Sequence, residues 1–99
     1  MKNQEIAKIL YEMADLLDIQ GVQWKPQAYR KAARAIENLP ENIQEIYENG
    51  ELQKIGGVGE GIAKKIEEYL KTGEILSYLK LKKQVPQGQL MEVATIGPK

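Results

Sequence analysis

Apolar side chains recur at spacings of three and four residues along the first part of the chain, a pattern that predicts amphipathic helices. The first helix is predicted over residues 3–18, with Asn3 as its N-cap and Gly21 beyond its end. Its buried stripe is predicted to be Ile6, Ile9, Leu10, Met13, Leu16 and Leu17. This helix is expected to be core scaffold.

A second helix is predicted over residues 24–36, with Pro26 in its first turn, where proline is well tolerated. Small residues form a narrow stripe that would allow close helix packing: Ala28, Ala32, Ala35 and Ile36. Tyr29 and the three cations of its middle and last turns, Arg30, Lys31 and Arg34, are predicted to lie off that stripe.

Shorter helices are predicted over residues 42–47, 60–71 and 75–82, with Gly50 and Gly73 as the glycines that end the first two. No strand pattern is present, so the predicted fold is all-α, a compact bundle of four to five short helices. We assign residues 1–82 to this domain. Residues 83–99 are predicted to be a linker followed by the start of a second, truncated glycine hairpin at residues 96–98.

A glycine-rich bend organises the chain around residues 52–70, LQKIGGVGEGIAKKIEEYL. Glycines surround Val58, and a helical pattern starts immediately after them, so main-chain amides should point out of the bend at a helix N-terminus. Such amides bind phosphate. The spacing, apolar-Gly-apolar-Gly followed by Ala63, is the helix-hairpin-helix pattern. The alternative is a glycine turn that only joins two packed helices.

Composition narrows the function classes. The chain has 99 residues, enough for one domain with a small core, and it lacks Cys and His. These absences exclude disulfides, thiolate metal sites and histidine acid–base chemistry. Because no apolar run reaches membrane-spanning length and no signal peptide is visible, we expect an intracellular, non-secreted monomer that does not contact membranes. It would be cytoplasmic, at the nucleoid, in a prokaryote and nuclear in a eukaryote.

Charge is unevenly distributed although 14 basic and 14 acidic residues give a net charge of zero. Residues 24–36 carry four cations and no acid, whereas residues 37–53 carry five glutamates and no base. Cations beside Trp24 and Tyr29 form a combination that can hold nucleic acid, through phosphate pairing and base stacking. The alternative is that Trp24 is a core residue and Tyr29 a helix-packing residue. For Trp24 we favour this alternative, because a single Trp in a small domain is usually buried at least in part.

Three segments together resemble the amino-terminal domain of family X DNA polymerases, the group of DNA polymerase beta: WKPQAYRKAARAI, LQKIGGVGEGIAKKIEEYLKTGEI and IGPK. The resemblance implies binding to the 5′-phosphate side of a gapped or nicked DNA duplex during repair. It also implies a 5′-deoxyribose-phosphate lyase activity in which Lys65 attacks the sugar aldehyde. The implied DNA-binding residues are Trp24, Lys25, Tyr29, Arg30, Lys31, Gly57, Val58, Gly59, Gly61 and Lys64.

The resemblance further implies a monovalent cation, Na⁺ or K⁺, held by the carbonyls of Gln53, Ile55 and Val58. The chain departs from the family at three phosphate-pocket positions: Trp24 stands for a histidine, and Gly61 and Ser77 stand for lysines. An amine must be neutral to attack an aldehyde, which requires burial or neighbouring cations around Lys65. The only aspartates are Asp15 and Asp18, so any polymerase chemistry would lie beyond residue 99.

Two functions therefore follow from the sequence. The first is a DNA-gripping module of a repair polymerase, with or without lyase activity. The alternative is a non-catalytic DNA-binding or protein-interaction module of helices.

Overall fold

The computed structural model describes residues 2–85, and within them the fold is all-α, as predicted. Its five helices are α1 (Asn3–Ile19), α2 (Lys25–Glu37), α3 (Ile43–Glu48), α4 (Glu60–Thr72) and α5 (Leu76–Gln84), with a 3₁₀ turn at Leu52–Lys54. The described fold continues past residue 82, because α5 ends at Gln84 and Val85 is buried. The predicted second hairpin at residues 96–98 lies outside the described residues.

The core forms mainly where α1 packs along α2. The stripe predicted for α1 is confirmed, except that Ile9 is half-buried and Ala7 and Ala14 join the buried set. Residues from the 3₁₀ turn, from the bend before α4 and from α4 itself complete the same core: Leu52, Ile55, Val58, Ile62 and Ile66. The bend is therefore anchored by apolar side chains, and its conformation is set by the core.

The buried face of α2 differs from the prediction. Pro26, Tyr29, Ala33 and Ile36 are buried together with Ala32, whereas Ala28 is exposed and Ala35 is half-buried. The predicted alanine stripe is therefore wrong, because α2 is rotated about its axis relative to the prediction. Because Tyr29 offers far more apolar area than an alanine, burying its ring decides which side of α2 faces the core.

Asn3 is not an N-cap; it is the first residue of α1, and it is buried. Its Nδ2 donates to the Glu41 carbonyl at 2.7 Å, and its Oδ1 accepts from the Ile43 amide at 2.9 Å. The side chain thus ties the start of α1 to the start of α3. The asparagine that acts as an N-cap is Asn42, at the start of α3, where its Oδ1 accepts from the Gln44 amide at 3.0 Å.

Tyrosine hydroxyls hold the later helices against α1. Tyr69 of α4 donates to Glu5 at 2.7 Å, and Tyr78 of α5 donates to Glu12 at 2.6 Å. The pKa of Tyr78 is raised, first by burial and then by this hydrogen bond. The hydrogen bond to Tyr69 lowers the pKa of Glu5. These contacts fix α4 and α5, and hence the bend that precedes them, relative to α1.

None of the helices within residues 2–85 is long and apolar enough to cross a bilayer.

Candidate nucleic-acid interface

The bend before α4 is a tight turn over residues 55–58, closed by a hydrogen bond from the Val58 amide to the Ile55 carbonyl at 3.0 Å. Gly57 occupies the third position with φ +92°, the conformation that a type II turn requires of a glycine. Ile55 and Val58 are buried on either side of the turn. We call residues 55–61 the glycine hairpin.

Main-chain amides at the end of the glycine hairpin have no hydrogen-bond acceptor within the described part of the chain. Among the described residues, the amides of Gly59, Glu60, Gly61 and Ile62 donate no backbone hydrogen bond, and Gly59, the N-cap of α4, provides no side-chain cap. Gly59, Glu60 and Gly61 are exposed. The amide of Val58 differs, because it is used inside the turn. The hairpin therefore presents a helix N-terminus with free amides at residues 59–61, one step beyond Val58, and such amides are suited to an anion.

The glycine hairpin packs against α2 at Lys31. A Cβ added to Gly57 would lie 3.2 Å from Lys31 Cγ and 3.5 Å from the Lys31 carbonyl oxygen, so the two backbones are in close approach. This contact brings together two segments that the sequence predicted separately. The exposed Lys31 stands beside the hairpin, where its ammonium can reach an anion held by the amides.

The other cations predicted to bind DNA differ in exposure and in ion pairing. Lys25 is exposed at the first turn of α2. Arg30 is held by two carboxylates of α1, with its Nη2 at 2.9 Å from Asp15 and 2.6 Å from Asp18. These hydrogen bonds, Asp18 first, raise the pKa of Arg30. Lys64 is exposed and lies 3.9 Å from Glu60. Lys25, Lys31 and Lys64 are thus more accessible to a phosphate than Arg30.

Trp24 is 76% exposed, so the expectation that it would pack in the core is wrong. The Lys25 amide donates to the Gln23 carbonyl at 2.8 Å, and Trp24 between them has φ +72° and ψ −46°. This is the classic γ-turn, a rare and strained conformation. The indole forms one wall of an open cleft of about 430 Å³ lined also by Asp18, Val22, Gln23, Pro26, Gln27 and Arg30. We call it the Trp24 cleft.

The sequence comparisons match this geometry. Residues 1–75 match the family described as helix-hairpin-helix domain. The chain belongs to that family. It is also 28% identical over 102 residues to the DNA polymerase/3'-5' exonuclease PolX of Bacillus subtilis (strain 168), in the amino-terminal region of that protein. The alignment covers all of this chain and 17% of the relative, so the chain spans about a sixth of that protein's length. The resemblance to family X polymerases is thereby confirmed.

Tyr29 of this helix-hairpin-helix domain is only 9% exposed, and burial raises its pKa. Its ring is part of the α1–α2 core and offers no open face for a base. Trp24 therefore lies outside the core in which it was expected to pack. Tyr29, predicted off the buried stripe, is packed inside, as its helix-packing alternative has it.

Lys65 lies in the second turn of α4 and is half-buried beside the buried Ile66. No carboxylate of residues 2–85 lies within 4.0 Å of its Nζ, whereas the neighbouring Lys64 pairs with Glu60. Next to this helix, a second cleft of about 320 Å³ separates α4 from the 3₁₀ turn and includes Gln53, Tyr47 and Glu67.

The predicted cation ligands are main-chain carbonyls of the helix-hairpin-helix domain. Within the described residues the Gln53 and Val58 carbonyls accept no backbone hydrogen bond, and the Ile55 carbonyl accepts one, from Val58. No group of three His, Cys, Asp or Glu side chains in that part of the chain could hold a metal ion. Oxygen ligands of this kind suit hard cations.

Sequence reasoning missed several residues at this surface. The amides of Glu60 and Ile62 follow from the helix start and could have been inferred from the Gly-Val-Gly-Glu-Gly spacing. Gln23 and Gln27 of the Trp24 cleft, and the pairing of Arg30 with Asp15 and Asp18, had no local signal because they depend on how α1 and α2 pack.

Proposed function

We propose that this domain binds the sugar–phosphate backbone of DNA through the glycine hairpin and the cations beside it. The observation that carries the proposal is the set of exposed, unpartnered amides at residues 59–61, held next to Lys31 by the Gly57 contact. Amides at a helix N-terminus combine hydrogen-bond donors with the positive end of the dipole, and an adjacent ammonium adds a full charge. Lys25 on α2 and Lys64 on α4 add two further exposed cations.

The Gly61→Glu variant tests the hairpin directly. A Cβ at Gly61 meets nothing within 4 Å, and its φ is not in the positive region, so the variant should fold. An acidic side chain in the first turn also stabilises a helix. It would nevertheless place a carboxylate where the phosphate binds. We expect affinity for duplex DNA at low salt to fall by about tenfold or more, measured by fluorescence anisotropy.

Gln4→Glu is the matched control, since it makes the same charge change at an exposed position in the first turn of α1, away from the glycine hairpin. We expect its DNA affinity to stay within about twofold of the parent. Equal losses in the two variants, or no loss in Gly61→Glu, would contradict the proposal. The absence of DNA binding by the parent chain at low salt would instead favour the protein-interaction alternative.

We propose further that the preferred DNA is a gap or nick with a 5′-phosphate, as part of a repair polymerase. Support comes from the similarity to a protein named DNA polymerase/3'-5' exonuclease. A terminal phosphate carries more charge than a phosphodiester, which strengthens its pairing with amides and ammonium groups. Binding should therefore be tightest for a gapped duplex with a 5′-phosphate, weaker without that phosphate, and weakest for intact duplex. Equal affinities would contradict the preference.

Lys65 supports a second proposal, a 5′-deoxyribose-phosphate lyase, because the residue is half-buried and no carboxylate of residues 2–85 lies within 4.0 Å of its Nζ. The amine would add to the C1′ aldehyde and lose water to form an imine. Loss of the C2′ proton would then break the C3′–O bond and release DNA with a 5′-phosphate, and hydrolysis would regenerate the lysine. Trp24, which stands in place of a histidine, cannot accept the C2′ proton. Another group or water would therefore accept it.

Borohydride trapping tests the lyase. Reduction of the imine should link the parent chain and Lys64→Ala to an oligonucleotide carrying 5′-deoxyribose phosphate, whereas Lys65→Ala should give no adduct. Lys64 is the appropriate control because it is adjacent, cationic and exposed. Equal trapping by Lys65→Ala would remove the assignment.

We propose lastly that the carbonyls of Gln53, Ile55 and Val58 hold a monovalent cation when DNA is bound. The free carbonyl oxygens at residues 53 and 58 support it. A bound cation would add positive charge beside the phosphate. DNA affinity should then be higher in K⁺ or Na⁺ than in choline at equal ionic strength. Equal affinities in the three salts would contradict the cation site.

A further inference from the structure

We propose that the domain binds a basic, aliphatic segment of a partner protein in an open groove between α3 and the 3₁₀ turn that precedes the glycine hairpin. The groove has a volume of about 230 Å³ and is lined by Leu39, Glu41, Ile46, Glu51, Lys54 and Ile55. We call it the acidic groove. The proposal goes beyond DNA binding and does not depend on it.

Three aliphatic side chains line the acidic groove. Leu39, which follows α2, and Ile46 of α3 are half-buried, and Ile55 is buried. An aliphatic side chain that enters the groove would leave water and contact all three. The volume lies below the range of about 300–1,000 Å³ that is usual for small-molecule sites. The groove therefore suits individual side chains of a protein segment better than a whole cofactor.

The charges of the acidic groove favour a cationic partner. Glu41 is exposed and forms no ion pair with any cation of residues 2–85. Glu51 is paired with Lys54 at 3.3 Å, but this pair is exposed, so exchange of its lysine for a partner's cation would cost little. The three groups together carry one net negative charge. Lysine or arginine side chains on either side of the aliphatic one would complement it.

The surrounding sequence strengthens this preference. Residues 37–53 carry five glutamates and no base, and DNA binding does not account for them, because carboxylates repel phosphate. The acidic groove starts next to the glycine hairpin, at Ile55, yet it has the opposite charge preference. A basic protein segment could therefore bind beside the hairpin without using the amides at residues 59–61.

The test is an NMR titration of the ¹⁵N-labelled chain with a synthetic peptide, Lys-Lys-Leu-Lys-Lys, blocked at both ends. Two control peptides have alanine in place of the leucine, or glutamates in place of the lysines. We expect the amides of residues 39, 46 and 55 to shift with the leucine peptide. The alanine peptide should bind about tenfold more weakly, because it buries less apolar surface. The glutamate peptide should cause no shifts.

Two charge reversals complete the test. Glu41→Lys changes an exposed side chain of the acidic groove and should weaken binding of the leucine peptide by about fivefold or more. Glu48→Lys makes the same charge change in the same acidic segment, at the exposed last residue of α3 and outside the groove lining. It should bind the peptide within about twofold of the parent.

Three results would overturn the proposal. Equal affinities for the leucine and alanine peptides, or equal losses in the two variants, would reduce the contact to nonspecific charge attraction. Shifts of the amides of residues 39, 46 and 55 on concentrating the chain alone would place a second copy in the groove instead of a basic segment. Because the titration contains no DNA, each of these results leaves the proposed DNA binding intact.

Discussion

The chain turns through positive φ in front of both α2 and α4, but with opposite residue types. Before α4 the residue is Gly57, at φ +92°, and before α2 it is Trp24, at φ +72°. The glycine turn exposes main-chain amides and buries its neighbouring side chains, Ile55 and Val58. The tryptophan turn does the reverse: its side chain is presented to solvent.

Packing accounts for the glycine but not for the tryptophan. A Cβ at Gly57 would make a tight contact of 3.2 Å with Lys31 Cγ, and φ +92° by itself favours glycine. Trp24 is 76% exposed and buries little surface, although positive φ for a bulky residue costs about 1–3 kcal/mol. One turn thus exposes main-chain amides, whereas the other exposes an aromatic ring on a strained backbone.

The largest expected effect is that of Gly57→Ala. It combines a Cβ at φ +92° with contacts of 3.2 Å to Lys31 Cγ and 3.5 Å to the Lys31 carbonyl oxygen. We expect the free energy of unfolding to fall by about 1–3 kcal/mol, measured by urea denaturation. Gly56→Ala is the control, because its φ is ordinary and its Cβ meets nothing, so it should be neutral or slightly stabilising. Equal effects of the two substitutions would contradict the structural role given to Gly57.

Local sequence patterns were sufficient to predict the fold class, the order of helices and the core stripe of α1. These depend on periodicity along one helix, and the helix ends at Gly50 and Gly73 depend on the ease with which glycine adopts positive φ. The glycine hairpin was recognisable for the same reason. Its chemistry is in the backbone, so the spacing of glycines alone indicates it.

Features that depend on contacts between distant residues were not predicted. Asn3 bonds to residues 38 and 40 positions away, and Arg30 pairs with carboxylates on another helix. The rotation of α2 could not be deduced because its alanines give a weak hydrophobic signal on several sides, and Tyr29 decided it only in the packed protein. Exposure of Trp24 ran against the usual behaviour of tryptophan, since its turn holds it outside the core.

A smaller effect, of opposite sign, is expected for Trp24→Gly. Glycine removes the strain at φ +72° but adds backbone freedom to the unfolded chain, and little buried area is lost. The balance should raise the free energy of unfolding by up to about 1 kcal/mol. Trp24→Ala keeps the strained φ and should give no gain, which urea denaturation of the pair would reveal. Clear destabilisation by Trp24→Gly would mean that the indole supports the fold, and the contrast between the two turns would disappear.

The smallest expected effect is that of Arg30→Gln, which removes the ion pairs between α2 and the last turns of α1 beside the Trp24 cleft. The guanidinium is partly exposed, so losing its pairs with Asp15 and Asp18 should lower stability by about 0.5 kcal/mol, and by less at high salt. Lys54→Gln, which breaks the more exposed Lys54–Glu51 pair within a single turn, should be close to neutral.

The DNA affinities of Arg30→Gln and Lys31→Gln test the same difference between the two turns. Because two carboxylates already hold the Arg30 guanidinium, Arg30→Gln should lose less DNA affinity than Lys31→Gln, since Lys31 is exposed and packs against Gly57 of the glycine hairpin. Losing a phosphate contact also flattens the salt dependence of binding, so only Lys31→Gln should reduce the slope, by about one unit. A larger loss for Arg30→Gln would show that the arginine leaves its carboxylates for DNA, so that the tryptophan turn also binds phosphate and the two turns share one chemistry.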